Sequence, residues 1–498
     1  MKIRFRILYV VLFVVMLFLT ITSGLTSYVL PPDYFELFYV EWDSLGFHLV
    51  VSAIIVMYFA MLRRKVFDRL NWEKVLRVLL PISLCFVGFL SVYWAVSCEY
   101  KPLYDQGYVC RAAETVSKGQ KIGIGEIAYI NQYPQQVGVV WLFGTLIRLF
   151  GTGGPSYMTL HLFLACCIPL IIWNGYILTD ILFQDKEVDV YYLLAGMGLL
   201  PLIFYVNYVY SDVPGILLLL VGLNAALYYE KSGKWQYYLL SVIGFILAII
   251  VRKNNIIICI AVVIMWCLYA FVKQNGIVFA KIGIASVMVF LGIKVMTYWL
   301  EQKYGIDSQL AEPSIAWIAM GMQRSGQGAG WYNGYISAVY AKANGNRALI
   351  VEDSILQIKR SLVAFWREPR EAVQFYFDKF LVQWNQPSYQ CLGIAQTYEE
   401  MPGGLVKAIY QGKLFASTRA YFDSYQFLVY CGFAVHLWKE SRRKEHYIYR
   451  MIPLLAIWGG MLFSLLWEAK SRYVLPYFVI MIPYAVKGWS EVCKKEKN

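Results

Sequence analysis

Residues 255–272 read NIIICIAVVIMWCLYAFV, a run without a single charged side chain. An α-helix rises about 1.5 Å per residue, so a run of this length covers most of the about 30 Å hydrocarbon core of a bilayer. Comparable apolar runs recur from one end of the chain to the other. The sequence therefore predicts an all-α polytopic membrane protein.

The overall composition supports this interpretation. The chain has 498 residues, of which 59% are hydrophobic and 15% are charged, whereas about a quarter of the residues in a soluble domain are charged. The net charge of +13 could suggest a nucleic-acid-binding protein. Most of the short basic clusters, however, stand between apolar runs, where they orient a membrane protein. We therefore expect contact with a lipid bilayer and none with nucleic acid.

The apolar runs predict about 12 transmembrane helices. The first run follows Lys2, Arg4 and Arg6 and lacks the small-residue cleavage site of a signal peptide, so we expect it to be a retained helix. The predicted spans lie near 7–29, 46–62, 76–97, 157–179, 190–209, 213–230, 236–251, 255–272, 277–299, 423–438, 449–466 and 473–489.

The apolar run at 136–150 is short for a span and contains Arg148. If this run does not cross, both termini and every short basic loop are cytoplasmic, as the positive-inside rule requires. If it does cross, the basic segment Lys439–Lys444 moves to the outer side. The first arrangement fits the rule better, so we predict that 136–150 is a re-entrant or interfacial helix on the outer side.

This topology divides the chain into four predicted regions. Within the long outer loop, 353–366 and 371–384 have apolar residues at helical spacing and predict amphipathic helices that pack on the membrane or on each other. The regions are an N-terminal transmembrane hairpin (1–75), a transmembrane core with a first outer loop at 98–156 (76–299), an outer helical loop region (300–422), and C-terminal transmembrane helices with a basic tail (423–498).

The chain has only four histidines, His48, His161, His436 and His446, and none lies within either large outer loop. A general base on the outer side must then be a carboxylate. Asp105 follows a predicted span and Asp212 stands in the short outer turn Tyr208–Gly215. Asp105 could also be an ordinary solvated acid, and Asp212 could be a helix N-cap. Their common face favours a shared site.

Two predicted outer turns are basic and so oppose the orientation rule. One turn contains Arg252 and Lys253, and the other contains Lys470 and Arg472. An anionic ligand at the interface would explain both turns. Lipid phosphate headgroups could be that ligand, and a bound polyprenyl phosphate or diphosphate is the more specific interpretation.

In the order of these motifs the chain resembles the GT-C class of membrane glycosyltransferases, which take sugars from polyprenyl-phosphate carriers. The nearest types are bacterial relatives of the protein O-mannosyltransferases and aminoarabinose transferases. Roughly residues 76–490 carry the resemblance. Its motifs are Asp105 with Tyr108, Ala112 and Ala113; Tyr133-Pro134 before a short helix; Tyr210-Ser211-Asp212-Val-Pro214; Trp317–Tyr335 with Arg324 and a glycine-rich turn; and Glu468-Ala-Lys-Ser-Arg472-Tyr473.

The resemblance implies an inverting transfer to an acceptor on the outer side of a bacterial plasma membrane, the acceptor being a surface glycan, a lipid or a protein. Asp105 would be the general base, and Asp212 would orient the acceptor or hold a divalent ion. No metal is required by the resemblance, although a divalent cation is possible. The implied substrate-binding residues are Arg252, Lys253, Lys470 and Arg472 for the phosphate, Trp331 and Tyr332 for sugar stacking, and Tyr133, Arg324 and Glu468 from the matching motifs.

The chain departs from the family pattern in two places. Asp105 is followed by Gln106 where many relatives carry a second acid, and Tyr133-Pro-Gln stands where many have Pro-Pro. Two other functions are compatible with the sequence. One is a transporter or flippase of lipid-linked sugars, for which Val251–Asn255 could be a helix break. The other is a non-enzymatic subunit of a polymer-assembly machine.

Overall fold

The computed structural model describes residues 2–3, 5–30, 38–65, 71–122, 129–151, 153–272, 274, 276–326, 328–393 and 401–493. The predicted basic tail at 494–497 lies outside the described residues. Within them the fold is built almost entirely of helices, as the apolar runs predict.

Among the described residues, the part of the chain up to Tyr304 forms thirteen α-helices. They are α1 (Arg6–Leu25), α2 (Leu45–Lys65), α3 (Trp72–Ser97), α4 (Tyr104–Ser117), α5 (Tyr129–Gln132), α6 (Val137–Phe150), α7 (Ser156–Phe183), α8 (Lys186–Met197), α9 (Leu200–Phe204), α10 (Asp212–Ser232), α11 (Trp235–Val251), α12 (Ile256–Val272) and α13 (Gly276–Tyr304).

The described residues after Tyr304 form the helices of the long loop and the last three long helices. They are α14 (Ser314–Gly321), α15 (Tyr335–Lys342), α16 (Arg347–Arg367), α17 (Pro369–Trp384), α18 (Gly404–Tyr410), α19 (Phe415–Ser441), α20 (Ile448–Leu466) and α21 (Leu475–Cys493). The predicted amphipathic helices at 353–366 and 371–384 are confirmed as parts of α16 and α17.

Short antiparallel strand pairs join distant parts of the chain. β1 (Lys2–Ile3) pairs with β6 (His446–Tyr447), β2 (Thr26–Val29) pairs with β3 (Tyr39–Trp42), and β4 (Arg324–Ser325) pairs with β5 (Gly328–Ala329). The first pair places the N-terminus beside the loop between α19 and α20.

Seven helices in the described residues are long and apolar enough to cross a bilayer, namely α1, α3, α7, α10, α12 (from Lys253), α13 and α20. An eighth span is formed if α8 and the segment Leu200–Asn207, which meet at a 47° bend, are counted as one. The other four predicted spans correspond to α2, α11, α19 and α21, which do not meet this test of length and composition. The chain is therefore a multi-pass membrane protein.

Basic residues gather at one end of the helix bundle. Arg450 donates from Nε to the carbonyl of Leu182 at 2.7 Å, and Lys487 lies 3.2 Å from Asp185. Lys231 donates to the carbonyl of Ile181 in the same region. This clustering at one end is the charge pattern that the positive-inside rule associates with the cytoplasmic face.

The short apolar run forms α6 (Val137–Phe150), a helix of 14 residues. Such a helix is about 21 Å long, too short to cross the hydrocarbon core. It packs on α4 and α7, and Gly138 sits against the carbonyl of Ile250 so closely that any side chain at that position would collide with the end of α11. The helix is therefore anchored beside the ends of the spanning helices.

We predict that Lys231 and Gly345 lie on opposite sides of the membrane, because the positive-inside rule predicts that the basic end of the bundle faces the cytoplasm. Reporter fusions at the two positions, one reporter active only inside and one only outside, measure this directly. Reporters that place both positions on the same side would contradict the topology and the outer location of the site.

Candidate functional site

A buried ion-pair group joins three turns that are far apart in the sequence. Asp212 begins α10, Arg252 follows the last residue of α11, and Arg472 stands in the turn before α21. The Nη1 atom of Arg252 donates to Oδ1 of Asp212, and Nη1 of Arg472 lies 4.0 Å from Oδ2. The three side chains are 10% exposed or less. We call this group the arginine centre.

Small residues make the arginine centre possible. A Cβ at Gly215, one turn into α10, would lie 2.8 Å from Cβ of Arg252, so only glycine lets the two chains approach this closely. Asn255 donates from Nδ2 to the carbonyls of Gly215 and Ala248, both at 3.0 Å. The turn after α11 is thereby fixed on the start of α10.

The structure brings together the two basic turns that oppose the orientation rule, through Arg252 and Arg472. Both guanidinium groups lie within 4 Å of the Asp212 carboxylate. In the described part of the chain, neither group forms an ion pair with another carboxylate. A divalent ion on Asp212, one of the expectations from the sequence, would have to bind against two adjacent positive charges. In the structure, Asp212 pairs with both arginines.

Tyrosines surround Arg472. Its Nη1 donates to the hydroxyl of Tyr208 at 2.5 Å, and its guanidinium lies 5.0 Å from the ring centroid of Tyr210 and 5.3 Å from that of Tyr473. Burial opposes the charge of Arg472, yet Tyr208, Tyr473 and Asp212 hold its pKa well above the usual range. The arginine thus remains a cation in this buried setting.

Asp105 lies near this centre, in the first turn of α4. Its neighbour Gln106 accepts a hydrogen bond from the backbone N–H of Val209 at 2.8 Å, which fixes α4 on the turn before α10. Burial raises the pKa of Tyr208 to about 12, and the nearby charges of Arg472, Asp212, Lys470 and Asp105 modify it. Tyr208 therefore interacts electrostatically with all four of these predicted site residues.

The carboxylate of Asp105 is open to solvent. Asp105 is exposed and Tyr104 is 64% exposed, so Tyr104 does not shield the carboxylate from water. Tyr104 has a φ of +48° at the start of α4. The carboxylate is accessible to an acceptor as well as to solvent.

A row of half-buried aromatic rings connects the two outer loops with the turn before α21. The centroids of Tyr108 and Tyr129 are 4.8 Å apart and those of Tyr129 and Tyr133 are 4.6 Å apart. Tyr133 then contacts Trp317 at 6.2 Å, and Trp317 stacks on Trp467 at 6.1 Å. This aromatic row runs from the helix of Asp105 to the residue before Glu468.

Glu312 is a site residue that the sequence analysis missed. Its Oε1 accepts hydrogen bonds from the hydroxyl of Tyr133 at 3.1 Å and from the side chain of Gln132, and its buried Oε2 has no hydrogen-bond partner among the described residues. Burial raises the pKa of Glu312 to about 7, although the hydrogen bonds from Gln132 and Tyr133 oppose this rise. Glu312 is recognised as a site residue through its contact with Tyr133, which lies far away in the sequence.

Glu468 and Lys470 lie beside the glycine-rich hairpin. Glu468 is buried and accepts from the hydroxyl of Tyr473 at 2.9 Å, and Lys470 lies 3.9 Å from it. The backbone N–H of Ala469 donates to the carbonyl of Gly330 at 2.8 Å. The turn before α21 is therefore held against the β4–β5 hairpin.

Two expectations for substrate binding need correction. Trp331 is fully buried, with its centroid 4.4 Å from that of Phe38, so its ring cannot stack on a sugar without rearrangement. Arg324 pairs with Asp378 at 2.9 Å on a half-exposed surface, rather than with Asp212. The burial of Trp331 reflects its packing under Lys470, whose Nζ lies 5.3 Å from the ring.

Lys253 and Tyr332 lie at the edge of the site. Lys253 is exposed, and the charges that act on it are those of Lys294 and Arg347 rather than Asp212. Tyr332 is half-buried, shares a hydrogen bond with Ser337 at 3.0 Å and lies under Lys470, 5.9 Å from its Nζ. The structure therefore groups Asp105, Asp212, Arg252, Tyr133, Glu468, Lys470 and Arg472, with Tyr332 nearby, and leaves Lys253 and Arg324 outside.

The segment Val251–Asn255 is a turn between two antiparallel helices. Tyr238 in the first turn of α11 and Trp266 in the second half of α12 both contact Tyr229 near the end of α10, with centroids 5.2 and 5.9 Å apart. The two helices therefore run in opposite directions. This geometry corrects the possibility of a break within one continuous helix, which was the main argument for a transporter.

We predict that Asp212→Asn lowers the thermal stability of the protein strongly. The variant leaves two buried guanidinium groups without a counter-charge, and breaking a buried ion pair in this way costs about 3–5 kcal/mol. The measurement is the thermal unfolding midpoint of the purified protein in detergent. Asp378→Asn is the matched control, because its partner Arg324 is half exposed and such pairs contribute about 0–1 kcal/mol. Equal midpoints for both variants would contradict this role of Asp212.

No protein-family model matches the chain, and no curated protein is similar to it.

Proposed function

We propose that this protein is a membrane glycosyltransferase that moves a sugar from a polyprenyl-phosphate carrier to an acceptor on the outer side of the plasma membrane. The proposal includes a GT-C-like transmembrane core and about 12 spans, with α2, α11, α19 and α21 crossing in addition to the eight apolar spans. The acceptor is a surface glycan, a lipid or a protein.

The observation that carries the proposal is the arginine centre. Two buried guanidinium groups share one carboxylate, so this group of three side chains bears a net positive charge away from water. A buried excess charge is costly unless an opposite charge compensates it. Arginine presents a planar fork of donors that matches phosphate oxygens, and a carrier phosphate would supply the compensating charge.

Asp105 and the arginine centre divide the chemistry between them. The oxygen of the acceptor hydroxyl attacks the anomeric carbon of the sugar, while the bond from that carbon to the phosphate oxygen breaks. The proton of the hydroxyl goes to the Asp105 carboxylate. The bonding electrons leave with the phosphate, whose developing charge Arg252 and Arg472 stabilise, with Lys470 at the edge. Attack opposite the leaving phosphate inverts the anomeric configuration.

The remaining residues position the substrates. Tyr133 and Tyr332 offer aromatic surface and hydroxyl groups beside the aromatic row, where a sugar ring can pack. Glu468 holds Tyr473 and Lys470 in place next to Arg472. Glu312 holds Tyr133 in place by accepting a hydrogen bond from its hydroxyl group. The reaction as proposed assigns no role to a metal ion.

A transporter or flippase of lipid-linked sugars is the second candidate function. The observation in its favour is the 47° bend between α8 and Leu200–Asn207, since broken helices are common in transporters. A flippase leaves the glycosidic bond intact, whereas a transferase breaks it. Formation of free polyprenyl phosphate from a lipid-linked sugar therefore separates the two functions.

We predict that Glu312→Gln changes how stability depends on pH. The pKa of Glu312 is raised from 4.5 to about 7 in the folded protein, so the folded state binds the proton more tightly than the unfolded state. This contribution to stability is complete below about pH 4.5 and is lost as the pH rises through about 7. Glutamine keeps an oxygen for Tyr133 and Gln132 but carries no charge.

The thermal unfolding midpoints of both proteins at pH 5.5 and pH 8 test this prediction. The midpoint of Glu312→Gln minus that of the wild type should be larger at pH 8 than at pH 5.5. Glu352→Gln, at an exposed position in α16, serves as the carboxylate control. An identical pH dependence in the wild type and Glu312→Gln would show that Glu312 ionises normally.

A further inference from the structure

A second polar cluster lies at the opposite, basic end of the bundle from the arginine centre. His436 and Glu440 stand one helical turn apart on α19, and Glu491 lies in the last turns of α21. One ligand atom from each of these three side chains lies within 4.8 Å of the other two. His446, in the strand β6, adds a second imidazole with its Nδ1 3.8 Å from Oε2 of Glu440.

The cluster is buried and poorly satisfied by the protein itself. His436 and His446 are each 1% exposed and Glu440 is 4% exposed. Among the described residues, Nδ1 of His436, Oε2 of Glu491 and both ring nitrogens of His446 have no hydrogen-bond partner. Buried polar atoms in proteins nearly always have partners. Several such atoms around one carboxylate therefore point to a ligand that binds them together.

The donor types indicate which ligand this is. Imidazole nitrogens and carboxylate oxygens are the ordinary ligands of Zn²⁺, and two ligands four residues apart on a helix face the same side. A hard cation such as Ca²⁺ or Mg²⁺ prefers a set made of oxygens alone. The two carboxylates would balance the charge of a divalent ion. The mixed donor set thus favours a transition-metal ion.

Nearby positive charges set a condition on this site. Arg443 lies 3.1 Å from Oε1 of Glu440, and Arg450 and Lys487 act electrostatically on His436. The Arg443 side chain is 55% exposed, so it can turn into solvent and release Glu440. Oε2 of Glu440 faces His446 rather than Arg443. A metal ion would therefore compete with Arg443 for Glu440 and would bind close to the positive charges of Arg450 and Lys487.

We propose that His436, Glu440 and Glu491 bind a divalent transition-metal ion, with Zn²⁺ the best match, and that His446 is the candidate for the fourth position. The ion would join the end of α19, the end of α21 and, because β6 pairs with β1, the N-terminus of the chain. Its role would be structural, fastening helix ends opposite the arginine centre. This inference is independent of the proposed glycosyl transfer.

The test uses the full-length protein, purified in detergent without chelators and with any affinity tag removed. The protein is exposed to ZnCl₂, dialysed against metal-free buffer and measured by elemental analysis, and its thermal unfolding midpoint is compared with and without EDTA. We expect about one equivalent of Zn²⁺ per chain and a lower midpoint after EDTA treatment. Bound zinc well below one equivalent, or a midpoint that EDTA does not change, would overturn the proposal.

Variants locate the site within the chain. Glu491→Gln, at a half-exposed position near the end of the last described helix, should fold and should lose both the bound zinc and the sensitivity to EDTA. His436→Gln should do the same. Glu445→Gln is the matched control, because Glu445 is an exposed carboxylate in the same loop as His446. Retention of zinc by Glu491→Gln and His436→Gln would show that the ion binds elsewhere. Loss of zinc in Glu445→Gln would also count against the proposed site.

Discussion

We expect Asp105→Asn to slow the proposed sugar transfer at least about a hundredfold, because removal of a general base typically costs about 10²–10⁴-fold in rate. Asparagine keeps the shape of aspartate and its place in the first turn of α4, but it cannot take the proton of the acceptor hydroxyl. Asp105 is exposed and makes no ion pair within 4 Å among the described residues, so the variant should insert and fold like the wild type. The measurement is the rate of transfer from a lipid-linked sugar by purified protein in vesicles.

Glu114→Gln provides the matched control for Asp105→Asn. Glu114 lies in the last turn of the same helix, where its Oε1 is 4.0 Å from the thiol of Cys110. Its loss should leave transfer near the wild-type rate. A folded Asp105→Asn variant with near-normal transfer would show that another carboxylate is the base, and Glu312 would be the next to test.

We expect Arg472→Gln to reduce the proposed transfer by about 10²–10³-fold, the usual effect of removing one electrostatic group that stabilises developing negative charge. In this variant Asp212 keeps its ion pair with Arg252, so the group becomes neutral and the buried carboxylate is still compensated. The fold should therefore survive better than in Asp212→Asn, while the excess positive charge for the phosphate is lost. The measurement is the transfer rate together with the unfolding midpoint.

Arg324→Gln is the control for Arg472→Gln. Arg324 belongs to the glycine-rich hairpin region but pairs with Asp378 at a half-exposed position away from Asp212. It should transfer sugar at close to the wild-type rate. If Arg324→Gln were as impaired as Arg472→Gln, the phosphate site would lie nearer the hairpin than the arginine centre.

The helices and their approximate ends could be predicted because apolar runs are local features of the sequence. The run at 136–150 became α6 at Val137–Phe150, and the positive-inside rule had already placed it outside the set of spans. The proximity of the basic turns at Arg252 and Arg472 could also be predicted from the sequence, since each turn alone opposes that rule.

Other parts of the site depend on contacts between distant residues and could not be read from any local pattern. Glu312 has no motif around it, and its significance comes from Tyr133, to which the fold brings it. The same holds for Trp331, because the sequence gives no means to distinguish a tryptophan that stacks on a sugar from one that packs inside. Asp212 looked like an N-cap or a ligand for the acceptor, and only the positions of two arginines show its structural role.

The most direct test of the proposed function is the fate of the bond between sugar and phosphate. Lipids extracted from cells that lack this protein would be incubated with the purified wild type and with Asp105→Asn in vesicles, together with the envelope fraction of the same cells as the source of the acceptor, and free polyprenyl phosphate would be measured by mass spectrometry. We expect the wild type to convert an accumulated lipid-linked sugar to free polyprenyl phosphate, and Asp105→Asn to do so at least about a hundredfold more slowly. A lipid-linked sugar that stays intact in the presence of folded wild-type protein would contradict the glycosyltransferase function.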